Sequence, residues 1–376
     1  MNQKKIHFFF PNLDGLRFLC FLSVFMFHSF FTDFDYIKNS SFYHFIKVQL
    51  FGNGNIGVNF FFVLSGFLIT FLLIKEKEFQ GQITITKFWV RRILRIWPLY
   101  FFCVFFGFVI FPVLKHYFGQ QPNETANPIY YITFLNNFDF IKKGLPDASV
   151  LGVLWSVAIE EQFYFIWPVL LFLIPNKWYP YLFAIIFSVS LVFRAYYDNA
   201  LYNEYHTLSC MGDLCMGACG AYFVQNERNI ERIKRWSKSF LLILYISFVI
   251  VFLFRSQLFY NNYVLRLFER PFIAFIILLI ILEQNYSSIS FFKMGKAKLI
   301  SKLGTISYGL YCLHFIGILI VITITRKFHL NTSVFEVIFI EMPLSLAITV
   351  LISFISFNKY ESYFLKLKER FSYITK

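Results

Sequence analysis

Four stretches of this 376-residue chain carry ionisable or polar side chains at helical spacing inside apolar sequence. The first reads LDGLRFLCFLSVFMFHSFFTDF and holds Asp14, Arg17 and His28. Eleven residues make three helical turns plus about 20°, so Arg17 and His28 share a face, roughly 16 Å apart along the axis. That spacing sets a guanidinium near one membrane surface and an imidazole near mid-bilayer. Ionisable groups are costly there and mark functional positions. The plainer reading is a snorkelling arginine and a histidine bonded to a neighbouring helix. The second stretch, LWSVAIEEQFYFIWP, sets Glu160 beside Glu161, with Ser156, Glu160 and Tyr164 on one face. Adjacent carboxylates in an apolar span want a charged partner or a proton. Arg17 and His28 are the natural partners. The third, GTISYGLYCLHF, places Ser307, Tyr311 and His314 on one face, with Tyr308 near the cytoplasmic end. In the fourth, KFWVRRILRIWPLYFF, Arg91, Arg92 and Arg95 precede Pro98, and Arg91 and Arg95 share a face. Arginine's fork suits bidentate phosphate recognition, although inner-face anchoring also places basic residues here. Taken by depth, His28, Glu160, Glu161 and His314 gather near mid-membrane, with Arg17, the three arginines and Tyr308 at the cytoplasmic mouth. A ligand phosphorylated at one end and reactive at the other fits that order.

The elements that must position these groups are membrane helices. Hydrophobic residues make up 58% of the chain and charged residues 15%, with mean hydropathy +0.59. That balance predicts an all-α integral membrane protein with a single domain over 1–376. Ten stretches are long enough to cross about 30 Å: near 14–33, 56–74, 98–115, 151–174, 179–197, 207–225, 239–256, 264–282, 303–325 and 335–357. The net charge of +14 concentrates on alternate loops, from Lys4 and Lys5 through the Arg91 cluster and Arg228–Lys238 to Lys359–Lys376. This asymmetry puts both termini in the cytoplasm and accounts for the basic charge without nucleic acid. The six cysteines all fall in apolar segments, without metal-type spacing, and no metal is expected. No cleavage site follows the first apolar run, so it is expected to remain as a helix. Ser65 and Gly66 suit close helix contact. Asp213 adds a further intramembrane acid, and Arg266, Glu269 and Arg270 are expected to pair with one another.

LDGLR with Arg17 and His28, GVNFFFVLSGFLIT, FWVRRILRIWPLYF, LWSVAIEEQFYFIWP, SYGLYCLHF and the final KYESYFLKL occur in this order along nearly the whole chain. In these motifs the sequence resembles the acyltransferase 3 family of membrane O-acyltransferases. The resemblance implies about ten transmembrane helices and transfer of an acyl group, most often acetyl, to extracytoplasmic carbohydrate. It implies cytoplasmic acetyl-CoA as co-substrate and no tightly bound cofactor. It maps Arg17 and His28 onto the family's essential pair and Arg91, Arg92 and Arg95 onto its arginine motif. The sequence departs from the family at Val153, where many members have histidine. It also shows no C-terminal esterase-like SGNH domain, so transfer is expected to be completed alone or with a separate partner.

The expectation is thus an O-acetyltransferase of a surface or cell-envelope glycan, multi-pass in a bacterial inner membrane. Acyl transfer needs the hydroxyl deprotonated as it attacks, a task suited to imidazole. His28 is assigned that role, as base or as acyl carrier, with Glu160 or Glu161 orienting it. Arg17, Arg91, Arg92 and Arg95 are assigned to the CoA phosphates. Asp14, Tyr164, Tyr308, Tyr311 and His314 are assigned supporting roles. The competing readings are a glycan exporter, whose buried charges would line a path, and a transferase of a bulkier donor such as succinyl-CoA.

Overall fold

The computed structural model describes residues 6–7, 10–371 and 374–375. Lys4, Lys5 and Lys376 of the charge reading lie outside them. Helices occupy all ten expected stretches: α1 (Pro11–His28), α2 (Ile56–Gln80), α3 (Ile85–Phe105), α4 (Leu154–Leu173), α5 (Tyr179–Tyr196), α6 (Thr207–Phe223), α7 (Lys238–Phe259), α8 (Tyr263–Tyr286), α9 (Ser307–Lys327) and α10 (Met342–Ser356). Backbone groups in hydrocarbon must bond within their own segment, which favours helix throughout such sequence. By length and composition, seven helices of the described residues can cross a membrane. The number is eight if α6 and Glu227–Lys234, bent by 100°, form one span. The two that fall short of this test are α1 and α8. Each carries charge in its first half: Asp14 and Arg17, and Arg266, Glu269 and Arg270.

Helix α3 continues through a π-helical turn, Phe106–Ile110, into Phe111–Tyr117, 33 residues in all. That is about 50 Å of helix, well beyond a hydrocarbon core of about 30 Å. Its arginine-bearing first turns therefore need not enter the hydrocarbon. A second long element runs through α10 and ends in the helix Ser362–Glu369.

Helix α2 is the axis of the bundle, packed on α1, α4, α6 and α8. Its crossing with α6 is set by glycine. A Cβ at Gly66 would lie 1.9 Å from the Leu214 carbonyl oxygen, and one at Gly217 would lie 2.0 Å from that of Val63. No side chain fits either position, so the two backbones meet directly.

The segment between α3 and α4 folds back into the bundle. Its short helices, Pro128–Ile132 and Asn136–Lys143, flank Phe134. Gln162 Nε2, eight residues into α4, donates to the Phe134 carbonyl at 2.7 Å, and the Tyr100 hydroxyl donates to the Tyr131 carbonyl at 2.8 Å. The segment is a plug between α3 and α4, beyond the simple cap its proline-rich sequence suggests.

A buried polar cluster ties α5, α6, α7 and α8. Arg270 Nε meets Asp213 Oδ2 at 2.8 Å, Arg255 pairs with Glu269, and Arg194 bonds Ser209 Oγ at 2.9 Å. Arg266 pairs with Asp198 at 2.5 Å. The expectation that Arg266, Glu269 and Arg270 pair among themselves is therefore corrected. Each finds its counter-charge on another element. At the ends of the chain, Ile6–His7 pairs in parallel with Ile374–Thr375.

Ala at Gly66 or Gly217 should lower thermal stability by about 1–3 kcal/mol, the range for overpacking. Thermal unfolding of the purified protein checks this, and an unchanged midpoint would contradict the contact. Reporters fused after Asn39 and Asn229 should report opposite sides of the membrane, the outside and the cytoplasm. A signal from outside at Asn229 would refute the charge-derived topology.

Candidate functional site

Helices α1, α2, α3, α4 and α9 enclose a cavity of about 640 Å³, and Lys368 and Glu369 of the final helix reach its rim. It gathers Asp14, Arg17, Arg91, Arg92, Arg95, Glu160, Tyr164, Tyr308 and Tyr311, together with Ser65, Glu76, Ser156 and Ser307. Long range brings these together: the Ser156–Glu160–Tyr164 face of α4 looks across the cavity at Ser307 and Tyr311 of α9.

The four arginines are not equivalent. Arg17 Nη1 meets Asp14 Oδ1 at 2.6 Å, one turn away on α1. Arg91 Nη2 meets Glu76 Oε2 at 2.9 Å, and its Nη1 donates to the Phe371 carbonyl at 2.9 Å. Arg92 lies over the rings of Phe88 and Tyr164, 5.5 and 5.6 Å from their centroids, and its buried Nε has no hydrogen-bond acceptor. Arg95 makes no hydrogen bond or ion pair among the described residues. Arg92 and Arg95 are thus the two of these four guanidiniums that have no ion-pair partner among the described residues. A buried cation without a counter-ion is costly, and a phosphate supplies both charge and acceptors.

The two glutamates diverge. Glu160 Oε1 accepts from Ser65 Oγ at 2.5 Å, and the Tyr164 hydroxyl donates to Ser65 Oγ at 3.2 Å. Glu161 points away from the cavity and accepts from Trp97 Nε1 at 2.8 Å, leaving its buried Oε1 without a partner. Consecutive helix positions are about 100° apart, so one face cannot present both. His28 also lies outside this cavity. It ends α1 and lines a second, apolar cavity of about 230 Å³ with Phe31, Phe106, Phe111, Phe315 and Arg326. Its ring partner is His314, whose Nε2 lies 3.0 Å from His28 Nδ1, with ring centroids 5.1 Å apart and the ring planes 17° from parallel. The expectation that Glu160 or Glu161 orients His28 is corrected: Ser65 and Trp97 hold the carboxylates, and a second imidazole holds His28. Sequence reasoning also missed Glu76, whose lysine-rich neighbourhood disguises it as a surface residue, and the contribution of the final helix.

The description "Acyltransferase domain" is that of the family model matched by residues 10–357, nearly the whole chain. The chain belongs to the acyltransferase 3 family. Its relatives include the peptidoglycan O-acetyltransferase OatA of Listeria monocytogenes, 29% identical over 328 residues, which are 81% of this chain and 49% of that protein. The O-acetyltransferase OatA of Staphylococcus aureus is 29% identical over 191 residues, 48% of this chain and 28% of that one. The chain thus spans about half or less of these relatives' length. No solved structure matches it. The match covers every helix that lines the two cavities except the final one, Ser362–Glu369.

Replacing Arg92 or Arg95 by Ala should weaken binding of a phosphorylated ligand about tenfold or more, the loss of one charge-assisted contact. Lysine should restore it only in part, for want of the bidentate fork. Arg91→Ala, whose N–H groups are already engaged, should have the smaller effect. Titration of acetyl-CoA into the detergent-purified variants checks the order, and equal affinities would refute it.

Proposed function

We propose that this protein is a membrane O-acetyltransferase that takes an acetyl group from cytoplasmic acetyl-CoA and passes it to a hydroxyl of a cell-envelope glycan. The observation that carries the reading is the cavity in which Arg92 and Arg95 stand without counter-ions beside a row of hydroxyls. Relatives named as O-acetyltransferases, one of peptidoglycan, support both the group and the class of acceptor.

The proposed topology is ten spans with both ends cytoplasmic, in the cytoplasmic membrane of a bacterium. The pairing of Ile6–His7 with Ile374–Thr375 supports it, since it brings the two ends to one side, as an even number of crossings requires. The arginine cavity then opens inward. Its far end, at Ser156 and Tyr311, backs onto His314, which faces His28 in the second cavity. The CoA phosphates bind Arg92 and Arg95, and Arg17 with Asp14 fixes the wall beside them. The pantetheine arm carries the thioester toward Tyr311. The acceptor hydroxyl approaches from the other side and gives its proton to His28 as its oxygen attacks the thioester carbon. The thiolate leaves as CoA. A positioned base of this kind contributes roughly a hundredfold to ten-thousandfold.

His28→Gln should therefore abolish acylation of the glycan while protein abundance and acetyl-CoA affinity stay near normal. Glycan amount and glycan acylation, measured together by mass spectrometry, decide the reading. Acylated glycan at near-normal level would defeat the role of His28, and loss of the polymer itself would point to export. A mass increment of succinyl in place of acetyl in the wild type would reassign the donor.

A further inference from the structure

We infer that His314 is a positioning residue that fixes His28 as the tautomer with its proton on Nδ1 and its lone pair on Nε2. This rests on the reading of His28 as the group that accepts the proton. The argument follows hydrogens along α9 and α1. His314 Nδ1 lies 2.6 Å from the backbone carbonyl oxygen of Tyr311, one turn earlier on its own helix. A carbonyl oxygen has no proton to give, so His314 Nδ1 is the donor. His314 is fully buried, packed between the rings of Phe21, Phe25 and Phe315. Among the described residues no carboxylate lies against it to meet an imidazolium, so the ring is neutral and its Nε2 carries the lone pair.

That lone pair faces His28 Nδ1 at 3.0 Å. Two ring nitrogens at this distance need one proton between them. Nε2 of His314 has none, so His28 Nδ1 supplies it. In neutral His28, Nε2 is then unprotonated. His28 lines the second cavity, apart from Arg17, Arg92 and Arg95. The chain of donors is thus His28 Nδ1–H to His314 Nε2, and His314 Nδ1–H to the Tyr311 carbonyl.

The chain also works in the reaction. A hydroxyl proton passes to His28 Nε2 as the hydroxyl oxygen bonds to the thioester carbon and the carbon–sulfur bond breaks. His28 is then an imidazolium with both nitrogens protonated. Its Nδ1–H still donates to His314 Nε2, so no hydrogen bond is lost when the charge forms. The proton leaves again through Nε2 to the thiolate or to water. A partner that holds an imidazole in one tautomer is worth up to about ten-thousandfold where it is a carboxylate. A neutral imidazole is a weaker acceptor, and a smaller effect follows.

The tests are two substitutions and one spectroscopic measurement. His314→Gln keeps an acceptor oxygen in reach of His28 Nδ1, whereas His314→Leu keeps bulk and offers none. The Leu variant should lose roughly a hundredfold in turnover, the lower end for correct proton placement, with acetyl-CoA affinity unchanged. The Gln variant should stay within about tenfold of wild type, since one neutral hydrogen bond is kept. Equal turnover in the two variants would overturn the proposal. If His28→Gln is itself active, the reading of His28 fails instead, and the two failures are told apart. Solid-state nitrogen NMR of the histidine-labelled wild-type protein in bilayers gives an answer without activity or folding of variants. The signals absent from His28→Gln should show a protonated Nδ1 and an unprotonated Nε2. An unprotonated Nδ1 would refute the assignment.

Discussion

A charge inside a low-dielectric bundle must be met by another charge or by a full set of hydrogen bonds, and the architecture is arranged around that requirement. Arg17 is met by Asp14, Arg91 by Glu76, Arg270 by Asp213 and Arg255 by Glu269. Each pair except the first joins separate elements, so ionic contacts and helix placement are the same fact seen twice. The places where the rule is broken are then informative. Arg92 and Arg95 form no ion pair among the described residues at the wall of the cavity that α1, α2, α3, α4 and α9 enclose. Where the neighbouring Arg17 and Arg91 are met by carboxylates of the chain, these two have room for an anion from outside it.

The glycines obey a related constraint. Direct backbone contact at Gly66 and Gly217 removes slack between α2 and α6. Since α2 also carries Glu76, and α6 carries Asp213, the crossing sets the acids that Arg91 and Arg270 meet at 2.9 and 2.8 Å. Packing in the bundle therefore sets electrostatics in the cavity.

Much of this was legible in the sequence. Hydropathy located the ten helices α1 to α10, because a span of apolar residues has few alternatives in lipid. Helical periodicity gave the faces Ser156–Glu160–Tyr164 and Ser307–Tyr311, because that geometry is local. What sequence did not show was pairing across elements. Arg91 shares a face with Arg95, yet Glu76 captures the former and not the latter, and nothing local to either arginine distinguishes them. Glu160 and Glu161 are neighbours in sequence and nearly perpendicular in space. His28 was matched to a carboxylate on the grounds of depth, whereas its partner is the imidazole of His314, identical in depth and residue type to what a packing residue would be. The plug around Phe134 was illegible because its aromatic residues serve a buried role in a segment whose proline and asparagine content reads as external loop.

The pairing of Tyr311 with His314 has a consequence for the thickness of the barrier that this protein maintains. Tyr311 lines the arginine cavity, and His28, bonded to His314, lines the second one. The two residues of α9 that stand between them are separated by three positions, about 4.5 Å of helix rise. The bilayer is roughly seven times thicker. Where Tyr311 and His314 stand, the wall between the two cavities is thus one turn of α9. In the proposed transfer the acyl group passes across that turn, a small fraction of the bilayer's depth.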